Sequence, residues 1–319
     1  GVTFKGVGDI ALYSGGQTAF FAALSGGDSP TPTYGVWSGA VGALNPILRG
    51  GDSAPGLSGV TMHFDDEDPM INAVGRTATR VTLHGQGVDD TNDEVIWSNH
   101  LGTPALIVRT GDLAAGTPTG FRYSFIGSLS INSSNQVAFE AALAGGQPDY
   151  WNNKGIWITT GGSTEIVAHS GQPAPGTSDG VHFGWLGWSD RAALNASGQV
   201  AFSATLEGNG IDESNNWSLW VGKVGAISEI VRTSEPAPGF APGALFSNLE
   251  DPVINAGGKI AFSGRVTGEG EGLPNFHGIW SNGFGPLALV ARAGEQAPGA
   301  PEGAVFLGFD FPHLVLNSA

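Results

Sequence analysis

The sequence predicts an all-β protein, β-propeller-like, built from five four-stranded antiparallel repeats of about 60 residues. Three observations carry this reading. An eight-residue pattern recurs as NAGGKIAF from Asn255, NASGQVAF from Asn195 and NSSNQVAF from Asn132, with looser copies NAVGRTAT from Asn72 and YSGGQTAF from Tyr13. After it the side chains alternate with period two, Val200, Phe202, Ala204 and Leu206 on one face and Ala201, Ser203 and Thr205 on the other. The 52 Gly and 19 Pro fall between apolar runs, where turns between short strands need them.

Val2 to Leu12 reads as a strand that precedes the first copy. The pattern itself reads as a hairpin corner, because Asn can close a type I turn through its side chain and Gly at the fourth position supplies positive φ. Copies begin at 13, 72, 132, 195, 255 and 317, at intervals of 59, 60, 63, 60 and 62. Each is followed by a strand whose recurring Ala (Ala19, Ala78, Ala138, Ala201, Ala261) implies close packing on its second face. Next come a strand ending in Trp37, Trp97, Trp157, Trp220 or Trp280 and a third strand ending near Arg49, Arg109, His169, Arg232 or Arg292. An Ala-Pro-Gly turn follows, Ala-Ala-Gly in the second period. A fourth strand then runs through Val60 to Ile71, Phe121 to Ile131, Val181 to Leu194, Leu245 to Ile254 and Val305 to Leu316.

Sixty residues exceed one coil of a β-helix and suit a propeller blade, with a six-bladed ring or an open stack of sheets as alternatives. The expected organisation is one domain, 1–319, with repeats 13–71, 72–131, 132–194, 195–254 and 255–316, and residues 1–12 and 305–319 as extra or closing strands. One such strand is then surplus, and an unpaired edge is a template for strand addition.

A net charge of −16 with only 13 basic residues excludes nucleic acid and anionic membranes as main partners. No Cys is present, so thiol chemistry, disulfides and Cys-based zinc sites are excluded. No apolar run reaches the roughly 20 residues that span a bilayer, and the first residues do not read as a signal peptide. A chain that starts at Gly1 and stops within a sixth copy reads as processed at both ends.

The three close copies resemble the NxxGxxAF repeat, a tandem module of bacterial secreted and surface-associated proteins. The resemblance covers the whole chain, with departures at Tyr13, Thr79 and Asn135. It implies an extracellular or cell-surface β-repeat protein and brings no catalytic residues with it.

The basic series Arg49, Arg109, His169, Arg232 and Arg292 precedes Asp52, Asp112, Gln172, Glu235 and Glu295 by three residues. A ring of such cations could bind an anionic ligand; the favoured reading is that each pair pins its own turn. The acidic runs Asp65 to Asp68 and Asp89 to Glu94 could hold calcium, though they lack the spacing of a calcium loop and read better as solvated. Trp151, Trp185, Trp188 and Trp217 lie outside the repeated Trp position and could stack on sugars or serve assembly contacts. Seven His show no metal-binding spacing, and no nucleophile elbow, phosphate loop or dinucleotide fingerprint occurs. Asn132, Asn195 and Asn216 stand in Asn-x-Ser sequences, the first two within corners.

The leading expectation is therefore a non-enzymatic extracellular structural or interaction protein that self-assembles by strand complementation, with copies of itself or other surface proteins as partners. A glycan-binding module using the extra Trp residues is the alternative. A secreted glycoside hydrolase with a carboxylate pair remote in sequence is the third reading.

Overall fold

The computed structural model describes residues 3–12, 16–26, 33–64, 69–145, 153–187, 193–268, 277–309 and 314–317. They form twenty-three strands and no helix. Sheet 1 holds β1 (Thr3–Leu12), β2 (Thr18–Ser25), β3 (Thr33–Ala40) and β4 (Ala43–Arg49). Sheet 2 holds β5 (Val60–His63), β6 (Met70–Ile71), β7 (Thr77–Gly85), β8 (Glu94–Ser98) and β9 (Ala105–Arg109). Sheet 3 holds β10 (Arg122–Ile131), β11 (Val137–Ala144), β12 (Lys154–Thr160) and β13 (Ser163–His169). Sheet 4 holds β14 (His182–Leu186), β15 (Ala193–Leu194), β16 (Val200–Glu207), β17 (Trp217–Lys223) and β18 (Ala226–Arg232). Sheet 5 holds β19 (Leu245–Leu249), β20 (Val253–Ile254), β21 (Ile260–Thr267), β22 (His277–Ser281) and β23 (Ala288–Arg292). Each sheet is an antiparallel meander of four strand positions, the unit of a propeller blade. The chain forms two compact units, Gly1–Ile166 and Val167–Ala319, and the boundary falls within β13.

The register corrects the expected grouping of strands into repeats. In every sheet the strand before the corner pairs with the strand after it, as in Ala11↔Ala19, Ser130↔Ala138 and Val253↔Ala261. The corner therefore lies inside a sheet, and the Ala-Pro-Gly turn carries the chain to the next one. Thr3–Leu12 is thus the first strand of sheet 1 rather than a surplus strand. At the other end Val305 makes a single bridge to Gln296. Residues 306–309 and 314–317 are not strand, because each other first strand is held by a ladder to the strand after its own corner.

The two faces of each sheet differ, and this fits one sheet to the next within a unit. Phe and Trp occupy one face as direct cross-strand partners, Phe139↔Trp157 and Phe262↔Trp280, stacked with ring centroids 5.8 and 5.9 Å apart. A third ring from the first strand, Tyr123 or Phe246, meets the Trp edge-on. That aromatic face packs on the small and branched face of the preceding sheet. Ala78, Ile96 and Val108 meet Phe139 and Trp157, and Ala201, Leu219 and Val231 meet Phe262 and Trp280. Burying each such ring contributes about 2–3 kcal/mol, and the recurring Ala sets how closely the sheets approach. Two of the indole N–H groups reach the turn that leaves the preceding sheet, Trp157 donating to Ala115 O (2.8 Å) and Trp280 to Pro238 O (3.0 Å), whereas Trp220 donates to Ser218 Oγ (2.7 Å) and Trp97 Nε1 has no partner.

The corners form as the sequence predicts. Gly75, Asn135, Gly198 and Gly258 have φ of 78°, 62°, 79° and 75°. The corner Asn Oδ1 accepts from the backbone two and four residues on, as in Ser197 N (3.0 Å) and Gln199 N (2.9 Å) for Asn195. Its Nδ2 then reaches the next corner: Asn72 donates to Asn132 O (2.7 Å), Asn195 to Asn255 O (3.0 Å) and Asn255 to Asn317 O (3.0 Å). Asn132 and Asn195 are buried, 6% and 4% exposed, which removes them as glycan acceptors.

Replacing Asn195 by Ala removes three accepted bonds, from Ser197 N, Ser197 Oγ and Gln199 N, and two donated ones, to Gln199 Oε1 and Asn255 O, from a buried site. The expected loss is about 3 kcal/mol in urea unfolding, against a few tenths for Ser197→Ala at an exposed position of the same turn. Asn195→Asp keeps the acceptors and loses the donor, and is expected to fall between the two.

Candidate functional site

The first strand of every sheet is irregular in its second half. Its register jumps between Val7 and Ile10 in β1 and between Ile126 and Leu129 in β10. In the other sheets the strand is interrupted there, between β5 and β6, β14 and β15, and β19 and β20. Bulges re-aim side chains and cluster near functional sites. Two further positions meet this place, the residue after the eight-residue pattern and the residue three before the repeated Trp. They lie diagonally across the second and third strand positions, and their chemistry changes from sheet to sheet while the packing around them repeats.

In sheet 1 these positions are Phe21 and Tyr34, stacked at 5.3 Å. In sheet 2 they are Arg80, which donates to Ile126 O, and Glu94, whose Oε2 accepts from Ile126 N at 2.8 Å. In sheet 3 they are Glu140 and Lys154; burial pulls the Lys154 amine down to about 8, against the opposing pull of the Glu140 carboxylate. In sheets 4 and 5 they are Ser203 with Trp217 and Ser263 with His277.

Sheets 4 and 5 bring the most reactive set together, around the break Glu250-Asp251-Pro252. The buried Ser263 hydroxyl donates to Glu250 Oε2, and the buried Ser203 hydroxyl to Asp251 Oδ1 at 2.7 Å. His277 Nε2 lies 3.9 Å from Glu250 Oε1, too far for a hydrogen bond. His277 Nδ1 accepts from Phe309 N at 3.4 Å, which places the proton of the neutral ring on Nε2, facing Glu250. Trp217 Nε1 donates to Leu249 O at 2.7 Å, and the indole of Trp185 stacks on Trp217 with centroids 5.3 Å apart. Arg265, exposed and directly opposite His277 in the register, adds a guanidinium on the same face. A carboxylate fixed by a hydroxyl, an imidazole proton beside it and a half-buried pair of indoles form a set able to hold a ring and move a proton.

The sequence singled out only part of this set. Trp185 and Trp217 belong to it; Trp151 and Trp188 lie outside the described residues. Glu250, Asp251, Ser203, Ser263 and His277 were missed, although Glu-Asp-Pro occurs before the corner at both 67–69 and 250–252. The members of the basic series each bond within their own repeat. Arg49 and Arg292 pin their own turns through Asp52 (2.9 Å) and Glu295 (3.1 Å). Arg232 instead bonds Glu229 on its own strand (2.9 Å), Arg109 bonds Asn92 Oδ1 (2.9 Å), and His169 Nδ1 bonds Ser170 O (2.7 Å). Of the acidic runs, Asp65 to Asp68 lies outside the described residues. Asp89 caps its own turn by accepting from Thr91 N and Oγ1, which holds its carboxyl below the usual range. Among the described residues no three His, Asp or Glu stand together as a metal-binding group. Two histidines far apart in sequence do meet, His63 and His84, with rings stacked at 4.9 Å. No helix of the described residues is long and apolar enough to cross a membrane.

A repeat protein of five four-stranded antiparallel sheets is the class that these observations define. The chain belongs to DUF7453, a family of unknown function whose pattern matches residues 2–319. No curated protein matches it in sequence. Among solved structures it is similar to an oligogalacturonate lyase in complex with manganese, with 10% identity, TM-score 0.41, and 91% of this chain and 78% of that one covered. It is also similar to the α-L-arabinanase of Penicillium chrysogenum complexed with arabinobiose, with 11% identity, TM-score 0.36, and 88% and 79% covered. An ulvan lyase follows at 9% identity, TM-score 0.35, and 85% and 63% covered. Likenesses this distant assign no activity. The expectation of a protein that assembles through a spare strand is corrected by the strand pairing: Thr3–Leu12 is paired within sheet 1, and residues 305–309 do not form a strand.

One buried histidine lies away from these groups. His100, between β8 and β9, is 3% exposed, and neither ring nitrogen is hydrogen-bonded. Burial lowers its pKa below the ordinary value for histidine. A lowered folded-state pKa means that the unfolded chain takes up the proton first, so stability is complete above about pH 6.5 and declines as pH falls through that value. Thermal unfolding of the wild type is expected to shift downward between pH 7 and pH 5 by more than that of His100→Leu. Equal shifts would show that His100 is not the titrating group.

Proposed function

We propose that the break in the first strand of sheet 5 carries out acid–base chemistry on a carbohydrate. The observation that carries this reading is the placement of Glu250 between the Ser263 hydroxyl and the His277 imidazole, beside the stacked indoles of Trp185 and Trp217. Indole faces take the apolar face of a sugar ring, and a half-buried stacked pair offers a rigid one. Glu250 accepts the proton, and the neutral His277 Nε2–H, buried 3.9 Å from Glu250 Oε1 with no hydrogen-bond partner, is the hydrogen-bond donor held beside it. Ser263 fixes the Glu250 rotamer, and Ser203 holds Asp251 next to it. Arg265 is placed to receive a hydroxyl or a carboxylate of the substrate at the rim.

Release of reducing or unsaturated ends from arabinan, xylan, polygalacturonate and ulvan tests the reading. Wild type is expected to act on at least one of the four. Glu250→Gln is expected to reduce kcat by about 10²–10⁴-fold and His277→Gln by a similar factor, whereas Trp217→Ala should mainly raise KM, by about tenfold. Turnover that survives Glu250→Gln and His277→Gln would place the chemistry elsewhere. Binding without turnover would reduce the site to a glycan-binding one.

A further inference from the structure

A second site stands in the first unit, where the repeat departs from its own rule. Two loops share one turn. In residues 87–92, Asp89 Oδ1 accepts from Thr91 N and Oγ1 (3.0 and 2.6 Å), and Asn92 Nδ2 donates to Gly87 O (3.2 Å). In residues 210–215, Asp212 Oδ1 accepts from Ser214 N and Oγ (2.8 and 2.6 Å), and Asn215 Nδ2 donates to Gly210 O (3.0 Å). The arginines beyond these two loops take different partners. In sheet 4 the arginine at the end of the third strand, Arg232, is held by Glu229 three residues before it. In sheet 2 that earlier position is Leu106, and Arg109 turns to Asn92 instead, through Nη2 to Oδ1 at 2.9 Å. Asp112, whose counterparts Asp52 and Glu295 pair with their own arginines, is left exposed without a bound cation among the described residues.

A cleft of about 550 Å³ opens at this place, between residues 87–92, 109–112 and 122–124. Its volume lies within the roughly 300–1,000 Å³ of small-molecule clefts. Arg122 stands on its wall and donates to Gly111 O; the equivalent bridge positions in the other repeats carry Thr61, His182, Leu245 and Val305. Asp90 and Asp112 supply acceptors, Arg122 supplies donors, the Ser124 hydroxyl supplies both, and the Thr91 hydroxyl, whose proton goes to Asp89, supplies an acceptor. Two carboxylates face two guanidinium groups, so the lining has no net charge and favours neither an anion nor a cation.

We propose that this cleft binds a neutral polyhydroxylated ligand, a sugar of one or two rings. Vicinal hydroxyls match a carboxylate on one side and a guanidinium on the other, and a lining of balanced charge accepts them without desolvating an unpaired ion. The site is independent of the chemistry at Glu250.

Saturation-transfer NMR on the full chain, with maltose, cellobiose and lactose as probes and glucuronate as the anionic control, tests it. At least one disaccharide is expected to bind in the millimolar range, with Asp112→Ala and Arg122→Ala each weakening it about tenfold or more. Both residues are exposed, so unchanged thermal unfolding confirms that the variants are folded. Trp217→Ala, in the other unit, should leave this binding unchanged, which separates this site from the one at Glu250. No transfer to any of the three disaccharides, stronger binding of glucuronate, or binding that survives both substitutions would overturn the proposal.

Discussion

The corner asparagine is the interaction on which the repeated architecture depends. A single buried side chain closes the turn that joins the first two strands of a sheet and donates to the backbone of the corner one period away. Neither task suits another residue. Asp lacks the donor, Ser and Thr lack the reach, and an apolar residue would leave backbone N–H groups of the turn buried and unpaired. Local geometry and the contact between sheets are thus set by one residue. Neighbouring corners stay in step even though the loops elsewhere in the period differ in length.

This division of labour leaves room for chemistry. The Phe-Trp face and the Ala face must fit one another, and in sheets 3 and 5 the turn that leaves the preceding sheet receives the Trp indole N–H. The residue after the eight-residue pattern and the residue three before the Trp carry neither duty. In sheets 2, 4 and 5 they meet the irregular part of a first strand, the next one for Arg80, Glu94 and Ser203 and their own for Ser263, where ladder hydrogen bonds are already given up, so side chains there can bond backbone or one another. Aromatic, ionic, hydroxyl and imidazole pairs succeed each other at these positions. Such variation inside a strict repeat is how functional groups are grafted onto a fold.

The fold was largely legible because it repeats. Period-two alternation, turn residues and a fixed interval each point to the same four-stranded unit, and the φ values at Gly75, Asn135, Gly198 and Gly258 follow from the motif alone. Strand grouping was not legible, since a strand before a hairpin corner reads equally well as the end of one sheet or the start of the next; only the register decides. The site was half legible. Trp185 and Trp217 stand out by departing from the repeated Trp positions. Ser203, Ser263 and His277 look like ordinary strand residues until the repeats are laid over one another and the position three before each Trp is read down the series. Arg109 misleads for a different reason: its place in the basic series predicts a bond to Asp112, and only the structure shows that the loop of residues 87–92 offers it two oxygens of Asn92 instead.

The polar set at sheet 5 is hard to explain by stability. Ser203 and Ser263 are each 1% exposed and lie between packed sheets, where Phe21 at the same position in sheet 1 packs without a polar partner. Burying a hydroxyl against a carboxylate at best offsets the cost of taking both from water, and an apolar pair of the same shape is often as stable or more so. The interrupted first strand adds a further cost in lost ladder bonds. A fold that had only to hold its sheets together could place at Ser263 and Glu250 what it places at Phe21. Two hydroxyls, two carboxylates and an imidazole at one break therefore point to a requirement outside folding, and the stacked indoles beside them point to a ring-shaped ligand as its source.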